Sequence, residues 1–180
     1  IKVKGQSDVN FTARATKNGP IISDAAVGAA ALVHEKPLAI SLRWTALDAD
    51  NFGVRAGLLM NKAKNGAEFK LASRDYAAAA QNMVYADVQG NIGWIAAGRY
   101  PIRHKDNDLH GLAPAPGWDA KYQWQGFVPF EQLPQEDNPA RGYIATANAN
   151  IQPQGYAHVL GYEWALPYRQ LRIDEMMAAT

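Results

Sequence analysis

The 180 residues have a mass of 19.6 kDa, which fits one ordinary domain or one slice of a larger one. Apolar residues make up 48% and charged residues 19%, a balance that predicts a hydrophobic core and excludes disordered and low-complexity classes. The net charge is +1, and no run of basic residues is longer than two. We therefore do not expect nucleic acid as a partner.

Two further classes are excluded by composition. The chain has no cysteine, which excludes a disulfide scaffold, a zinc–thiolate site and a cysteine nucleophile. The longest apolar run, residues 25–33, is nine residues long, whereas a bilayer span needs about 20. We therefore expect no membrane partner.

Residues 1–47 are predicted to form strands and turns. Residues 1–4 and 9–13 alternate between apolar and polar side chains on either side of a turn at 5–8, which is typical of a hairpin. The same period-two alternation returns in residues 38–44 after Pro37, so we expect another strand there.

Residues 48–80 are predicted to form two helices. Asp50 is a candidate cap for a helix to about Lys62. Asn65 and Glu68 have the spacing of a capping box, which predicts a second helix from there to about Ala79. Gly66 in its first turn is a weak helix former, at a cost of about 1 kcal/mol relative to alanine.

Residues 82–99 carry the clearest local pattern. Two apolar runs flank a tight turn, where Gly90 supplies the positive φ that such a turn needs. Asp87 and Asn91 are predicted to bind the backbone of this hairpin rather than a ligand.

The last 80 residues change character twice. Residues 100–141 hold six of the ten prolines together with Trp118 and Trp124, and we expect this segment to wrap a surface and pack down on it. Residues 142–180 are predicted to form a strand at 143–147 and a C-terminal helix after Pro167. We interpret residues 1–180 as a single α+β piece.

Few residues match a known catalytic or ligand-binding motif by themselves. A phosphate-binding glycine loop, a nucleophile elbow and a closely spaced histidine pair are all absent from the sequence. Asp106 and Asp108 match a calcium loop poorly, and a solvated loop is the preferred interpretation. The four histidines are scattered and are predicted to be surface residues: His34, His104, His110 and His158.

Several long segments nevertheless resemble one family. They are residues 16–20 (TKNGP), 42–45 (LRWT), 85–94 (YADVQGNIGW), 98–103 (GRYPIR), 124–134 (WQGFVPFEQLP) and 142–148 (GYIATAN). In this order, across essentially the whole chain, they resemble the penicillin acylase (penicillin amidase) family of N-terminal-nucleophile hydrolases. The resemblance implies a four-layer αββα sandwich of antiparallel sheets and helices, and a precursor that cuts itself into two chains.

The resemblance also implies a reaction. Such enzymes hydrolyse amides through an acyl-enzyme, with a residue at a new N-terminus as nucleophile and its own α-amino group as base. This chain resembles an internal part of the β chain, and Ile1 has no nucleophilic atom. We expect the nucleophile in an upstream segment or another chain, and we expect the 180 residues alone to be inactive.

Two family roles fall on residues of this chain. Asn148 matches the asparagine whose side-chain amide donates to the oxyanion, and Arg169 matches the arginine that positions that asparagine. The residues alone favour other interpretations, because asparagine often ends a strand or caps a turn and a helix arginine is usually on the surface. The resemblance assigns no metal ligand here; it allows a structural calcium ion, and the chemistry requires no cofactor.

The resemblance further implies partners and a compartment. The partners are the α chain and the N-terminal part of the β chain of the same precursor, together with a small acyl amide such as a β-lactam side chain or an N-acyl-homoserine lactone. The implied location is periplasmic or secreted, and antibiotic metabolism is the implied context. Two positions depart from the family pattern: Asn18 stands where histidine is common, and Gly66 where tryptophan is common.

A non-catalytic binding module is the alternative hypothesis. Five tryptophans and the proline-rich segment 100–141 could cover a partner surface or a sugar. The two hypotheses differ in one physical property, because a slice of a sandwich exposes a large apolar face whereas an independent module does not.

Overall fold

A computed structural model describes residues 1–179 of the chain as a mixture of helices and antiparallel strands. The helices are α1 (Val27–Leu32), α2 (Gly53–Met60), α3 (Gly66–Ser73) and α4 (Tyr168–Ala178), with short 3-10 turns at Thr45–Leu47, Ala120–Tyr122 and Phe130–Gln132. The strands are β1 (Ala15–Thr16), β2 (Gly19–Pro20), β3 (Gln81–Ala86), β4 (Ile92–Ala97), β5 (Pro101–Arg103), β6 (Trp124–Phe127) and β7 (Gln135–Asp137). They pair as β1–β2, β3–β4–β7 and β5–β6, and every pair is antiparallel.

The predicted hairpin is the centre of the largest sheet. β3 and β4 pair from Gln81 with Ala97 to Ala86 with Ile92, and β7 adds to the other edge of β4. Asp87 closes the turn, because its Oδ1 accepts the backbone N–H of Gln89 and of Asn91 at 3.0 and 2.9 Å. The predicted structural role of Asp87 is therefore confirmed.

The predicted helix cap of α3 is also confirmed. The Asn65 side chain accepts the N–H of Glu68 at 2.9 Å, while the Glu68 carboxylate accepts from the N–H of Lys64 at 2.9 Å. The helix ends at Ser73 rather than near Ala79, because the chain leaves it to pack on the sheet. There the carbonyl of Ala77 accepts the backbone N–H of Arg99 at 3.0 Å.

The core is small and lies around β4. Ile95, Ala97, Val128 and Leu133 are fully or nearly buried, and side chains from several segments pack against them. Two of the four come from the proline-rich segment 100–141, which therefore packs down as predicted. This places the core between the hairpin and the segment that follows it.

Residues 1–47 were predicted as strands, and that prediction is largely wrong. The expected hairpin at residues 1–13 reduces to a mutual pair of hydrogen bonds between the backbones of Ile1 and Val9, and α1 occupies part of the remainder. Residues 38–44 form a single β-bridge, between Ile21 and Ser41, and the guanidinium of Arg43 lies over the ring of Trp124 in β6. These segments are mostly exposed, so no buried face fixes their pairing.

The strand predicted at residues 143–147 is also wrong. Among residues 1–179 the segment has no strand partner, and the Gln170 side chain of α4 binds two of its backbone groups instead. The helix predicted after Pro167 is confirmed, with Pro167 as the N-cap.

The surface of the chain is large for its mass. It amounts to 12381 Å², whereas a compact monomer of 19.6 kDa has about 8,600 Å² by the usual scaling. Many large apolar side chains are among the exposed residues, including Leu171, Met176 and Met177 on α4. Within residues 1–179, no helix has both the length and the apolar character that a bilayer crossing requires.

Candidate functional site

The structure brings Asn148 and Arg169 into direct contact although 21 residues separate them. The Nη2 of Arg169 donates to the Oδ1 of Asn148 at 2.9 Å. A guanidinium group can only donate hydrogen bonds, so this contact fixes which atom of the amide faces the arginine. The Asn148 Nδ2 group points elsewhere, and no acceptor for it is found among residues 1–179.

Helix α4 holds the segment that carries Asn148. The Gln170 side chain accepts the backbone N–H of the buried Ala147 at 2.9 Å and donates to the carbonyl of Ala145 at 3.2 Å. The Asp174 carboxylate accepts from the same Gln170 amide at 3.1 and 3.2 Å, which fixes its orientation. Two neighbouring side chains in the first turn of α4 therefore hold this segment. Gln170 binds its backbone, and Arg169 binds the side chain of Asn148.

The backbone of Asn148 is itself unusual. Its φ is 61°, in the left-handed region, where asparagine is one of the few residues with a side chain that is tolerated. Its carbonyl accepts the N–H of Ala165 at 2.8 Å, which ties the segment to the chain just before α4. Such conformations are frequent at functional sites, where they aim a side chain at a defined point.

The electrostatics of the pair suit the binding of negative charge. Both side chains are exposed, and Arg169 forms no ion pair with a carboxylate among the residues that the structure describes. The Arg169 guanidinium, which donates to Oδ1, polarises the Asn148 amide and makes its N–H groups stronger hydrogen-bond donors. The arrangement can therefore present an oriented, neutral donor to an oxygen that gains charge during a reaction.

The histidines have structural or surface environments. His34 is exposed, and His104 Nδ1 accepts the N–H of Asp106 at 3.1 Å. His110 and His158 contact Tyr162 and Gln132, respectively. In residues 1–179 no group of three or more histidine, aspartate or glutamate side chains is arranged to hold a metal ion.

The acidic loop is occupied by protein contacts. Asp108 accepts from the Tyr122 hydroxyl at 2.9 Å and lies 3.2 Å from Lys121 Nζ. The hydrogen bonds from Tyr122 and Lys121 lower the pKa of Asp108. Asp108 therefore joins this loop to residues 121 and 122.

Two of the serines also have structural roles. Ser73 is buried, and its hydroxyl donates to the Phe69 carbonyl within α3 at 3.0 Å. The hydroxyl of Ser23 accepts the N–H of Ile40 at 3.1 Å. Neither contact involves a side chain that could act as a base.

The two departures from the family pattern have local explanations. Asn18 Nδ2 donates to the Gly117 carbonyl at 3.3 Å, so it joins the first turn to the proline-rich segment. Gly66 is buried against the Tyr85 ring, and a Cβ at this position would lie closer than 3.0 Å to that ring. A glycine therefore fits the helix start better than its intrinsic propensity predicted.

Sequence reasoning missed Gln170. A glutamine beside an arginine near a helix start carries no motif, and its role depends on the packing of α4 against residues 145–147. The only available signal was the position next to Arg169.

The chain as a whole resembles known proteins. The Penicillin amidase family model matches residues 1–180. An acyl-homoserine lactone acylase QuiP from Pseudomonas fluorescens is 36% identical over 171 residues, which are 95% of this chain and 20% of that protein. The penicillin acylase 2 proenzyme of a Pseudomonas species is 30% identical over 180 residues, 100% of this chain and 22% of that protein.

The fold has a solved counterpart. A thermostable penicillin G acylase from Alcaligenes faecalis superposes with a TM-score of 0.72 at 27% identity, covering 98% of this chain and 30% of the other. This match and the mixture of helices with antiparallel strands confirm the predicted α+β class. The chain spans about a fifth of the length of the curated relatives named above. With a family model matched over its whole length, the chain belongs to the penicillin amidase family.

Proposed function

We propose that these residues are part of an amidohydrolase that cleaves acyl amides through an acyl-enzyme, with Asn148 as the oxyanion donor and Arg169 as its positioning residue. The observation that supports this most directly is the 2.9 Å hydrogen bond from Arg169 to Asn148 Oδ1. It leaves the Nδ2 donor available, which is what an oxyanion site requires.

The substrate class follows from the relatives. They are named acyl-homoserine lactone acylase and penicillin acylase, and both names denote removal of an acyl group from an amide nitrogen. We therefore propose an N-acyl-homoserine lactone or a β-lactam side-chain amide as substrate. The amide bond is linear in both compounds.

The reaction that we propose has two halves. The hydroxyl oxygen of an N-terminal nucleophile attacks the amide carbon while its α-amino group takes the proton, and the carbonyl oxygen becomes an oxyanion that accepts from Asn148 Nδ2. Collapse of this intermediate breaks the C–N bond, and the amine leaves with that proton. Water then attacks the acyl-enzyme ester by the same sequence, releasing the acid and restoring the hydroxyl.

We propose that the nucleophile comes from outside these 180 residues and is released by autoproteolysis of a precursor. The excess surface supports this, because 12381 Å² is about 1.4 times the value for a compact monomer of this mass. The exposed apolar side chains would be covered by the remaining segments of the precursor, namely the α chain and the first part of the β chain. An independent binding module also exposes an apolar patch, but one of about a few hundred Å², which is far smaller than the excess here.

The compartment and the metal rest on family resemblance alone. We propose a periplasmic or secreted location on that ground. Residues 1–179 offer no cluster of carboxylates or histidines that fits a calcium ion, so we derive no step through a metal.

The oxyanion assignment is tested by Asn148→Asp in the complete protein. Aspartate keeps the size of the side chain and its acceptor for Arg169 but lacks the N–H donor. We expect kcat to fall at least about 10²–10³-fold, the usual loss for one oxyanion donor, because the aspartate carboxylate also repels the oxyanion. The protein should remain folded. Asn150→Ala is the matched control, because this exposed neighbour binds only the backbone and side chain of Gln152.

Unchanged turnover in Asn148→Asp, with acyl-amide substrates of both classes, would show that the donor lies elsewhere. The nucleophile is tested separately, by intact mass and N-terminal sequencing of the purified protein. We expect a chain that begins with serine, threonine or cysteine. A single species of 19.6 kDa beginning at Ile1 would contradict the proposed nucleophile.

A further inference from the structure

A cavity lies away from the Asn148–Arg169 contact. It has a volume of about 500 Å³, lies between residues 101–112 and 157–163, and is lined by neither Asn148 nor Arg169. Ile102, Val128 and Leu160 give it an apolar wall. The volume is in the range of small-molecule sites, which are typically about 300–1,000 Å³.

One cation faces this cavity without a carboxylate partner among the described residues. Arg103 is partly buried, and within the described part of the chain its guanidinium forms no hydrogen bond or ion pair. Burial of the guanidinium lowers the pKa of Arg103. A cation removed from water without a counter-charge is unfavourable, so the position favours an anion from outside the described residues.

The loop beside Arg103 leaves room for the guanidinium. Gly111 has a φ of 80°, and a Cβ there would lie closer than 3.0 Å to the Arg103 guanidinium. The buried Asn107 accepts the N–H of His110 at 2.9 Å and so fixes the turn that leads to this glycine. Gly111 therefore serves both the backbone conformation and the close approach of the arginine.

The two walls of the cavity are joined at one side. The Tyr162 hydroxyl lies 3.0 Å from His110 Nδ1, and the two rings are 5.0 Å apart. Glu163, the one carboxylate that lines the cavity, is exposed and forms no ion pair with Arg103. The cation thus stays available while the walls are held together.

We propose that this cavity binds a small amphiphilic carboxylate, which pairs with Arg103 and lays its apolar body against Ile102, Val128 and Leu160. A planar guanidinium matches a carboxylate through two parallel hydrogen bonds. The apolar wall favours an organic acid over an inorganic anion. This inference rests on the geometry of the cavity and does not depend on the proposed hydrolytic function.

Calorimetric titration of the complete protein with hexanoate tests the proposal, with hexanamide as the uncharged probe and inorganic phosphate as the anion without an apolar body. We expect hexanoate to bind and both other probes to bind at least tenfold more weakly. In Arg103→Gln the hexanoate affinity should fall about 10- to 100-fold, the usual range for a charged hydrogen bond.

Two variants locate the bound probe. Lys105→Gln removes a neighbouring exposed cation that lines the same cavity and should leave the affinity within about twofold. Arg169→Gln should also retain hexanoate binding. Loss of binding in Arg169→Gln with retention in Arg103→Gln would place the acid at the candidate hydrolytic site and overturn the proposal.

The remaining outcomes also decide the question. If hexanoate does not bind the complete protein, another segment of the precursor fills the cavity and the proposal is overturned. Equal binding of hexanoate and hexanamide, or unchanged hexanoate affinity in Arg103→Gln, would overturn the role of Arg103. If circular dichroism shows that Arg103→Gln does not fold, Arg103→Lys replaces it, because lysine keeps the charge but not the planar fork. In Arg103→Lys we expect weaker hexanoate binding that still exceeds that of hexanamide, and loss of this preference would overturn the proposal.

Discussion

Two helical glycines should respond in opposite directions to the same substitution. Gly66 begins α3, and a Cβ at this position would lie closer than 3.0 Å to the Tyr85 ring. That ring is held in place, because it packs as closely against Gly93 as against Gly66 and its hydroxyl donates to Asp137. Gly57 lies inside α2. Apart from its adjacent residues and the backbone of α2, no heavy atom of residues 1–179 lies within 4 Å of its Cβ position.

The magnitudes follow from these surroundings. Overpacking costs about 1–3 kcal/mol, and the helix-propensity gain of alanine is at most about 1 kcal/mol, so Gly66→Ala should destabilise α3 and β3 by about 1–2 kcal/mol. Gly57→Ala gains the propensity without a collision and should stabilise α2 by about 0.5–1 kcal/mol.

Peptide-resolved hydrogen exchange of the complete protein measures both effects, because it reports the free energy of local opening. Exchange in the α3 and β3 peptides of Gly66→Ala should be about 5–30 times faster, while the α2 peptides of Gly57→Ala should exchange more slowly. Slower exchange around α3 in Gly66→Ala, or faster exchange of α2 in Gly57→Ala, would refute the reasoning.

Two further predictions concern hydrogen bonds of side chains to the backbone. Gln170→Leu leaves the buried Ala147 N–H without its acceptor, at a cost of about 1–3 kcal/mol. Amide hydrogen exchange at residues 143–148 should accelerate. No change would show that Gln170 does not hold this segment in place. The side-chain and backbone N–H groups of Asn91 lower the pKa of Asp87 in the folded protein. The Asp87 carboxylate therefore stabilises the fold fully above its unfolded pKa of about 3.9. This stabilisation is lost as the pH falls through the pKa of Asp87 in the folded protein. Asp87→Asn should therefore lower Tm at pH 7, and this difference should shrink towards pH 2; a difference equal at both pH values would exclude the carboxylate as its source.

Features with local causes could be predicted from the sequence. The hairpin of β3 and β4 depends on alternation and on Gly90, and the start of α3 depends on Asn65 and Glu68. All of these lie within a few residues of each other, so the sequence contains the cause of the structure. The residues matched to the family motif, Asn148 and Arg169, were predicted by resemblance and lie in contact.

Features that depend on tertiary partners could not be predicted. Residues 38–44 have the period of a strand, but Leu38 and Trp44 are both 48% exposed and no buried face completes the pairing. The isolation of Arg103 is likewise a property of the packed loops, because the sequence alone cannot show that a cation lacks a counter-charge. The fit of Gly66 at the start of α3 could not be predicted for the same reason, because the Tyr85 ring that it contacts belongs to another element.

The hydrogen bond from the Ala165 N–H to the Asn148 carbonyl has a consequence for divergence. It closes residues 149–164 into a loop whose two ends are fixed, while Gln170 and Arg169 hold Asn148 from outside that loop. Doubling the length of a closed loop costs only about 0.6 kcal/mol. Insertions and deletions can therefore accumulate in this loop without moving the amide, and related proteins can change one wall of the Arg103 cavity while the geometry at Asn148 is inherited intact.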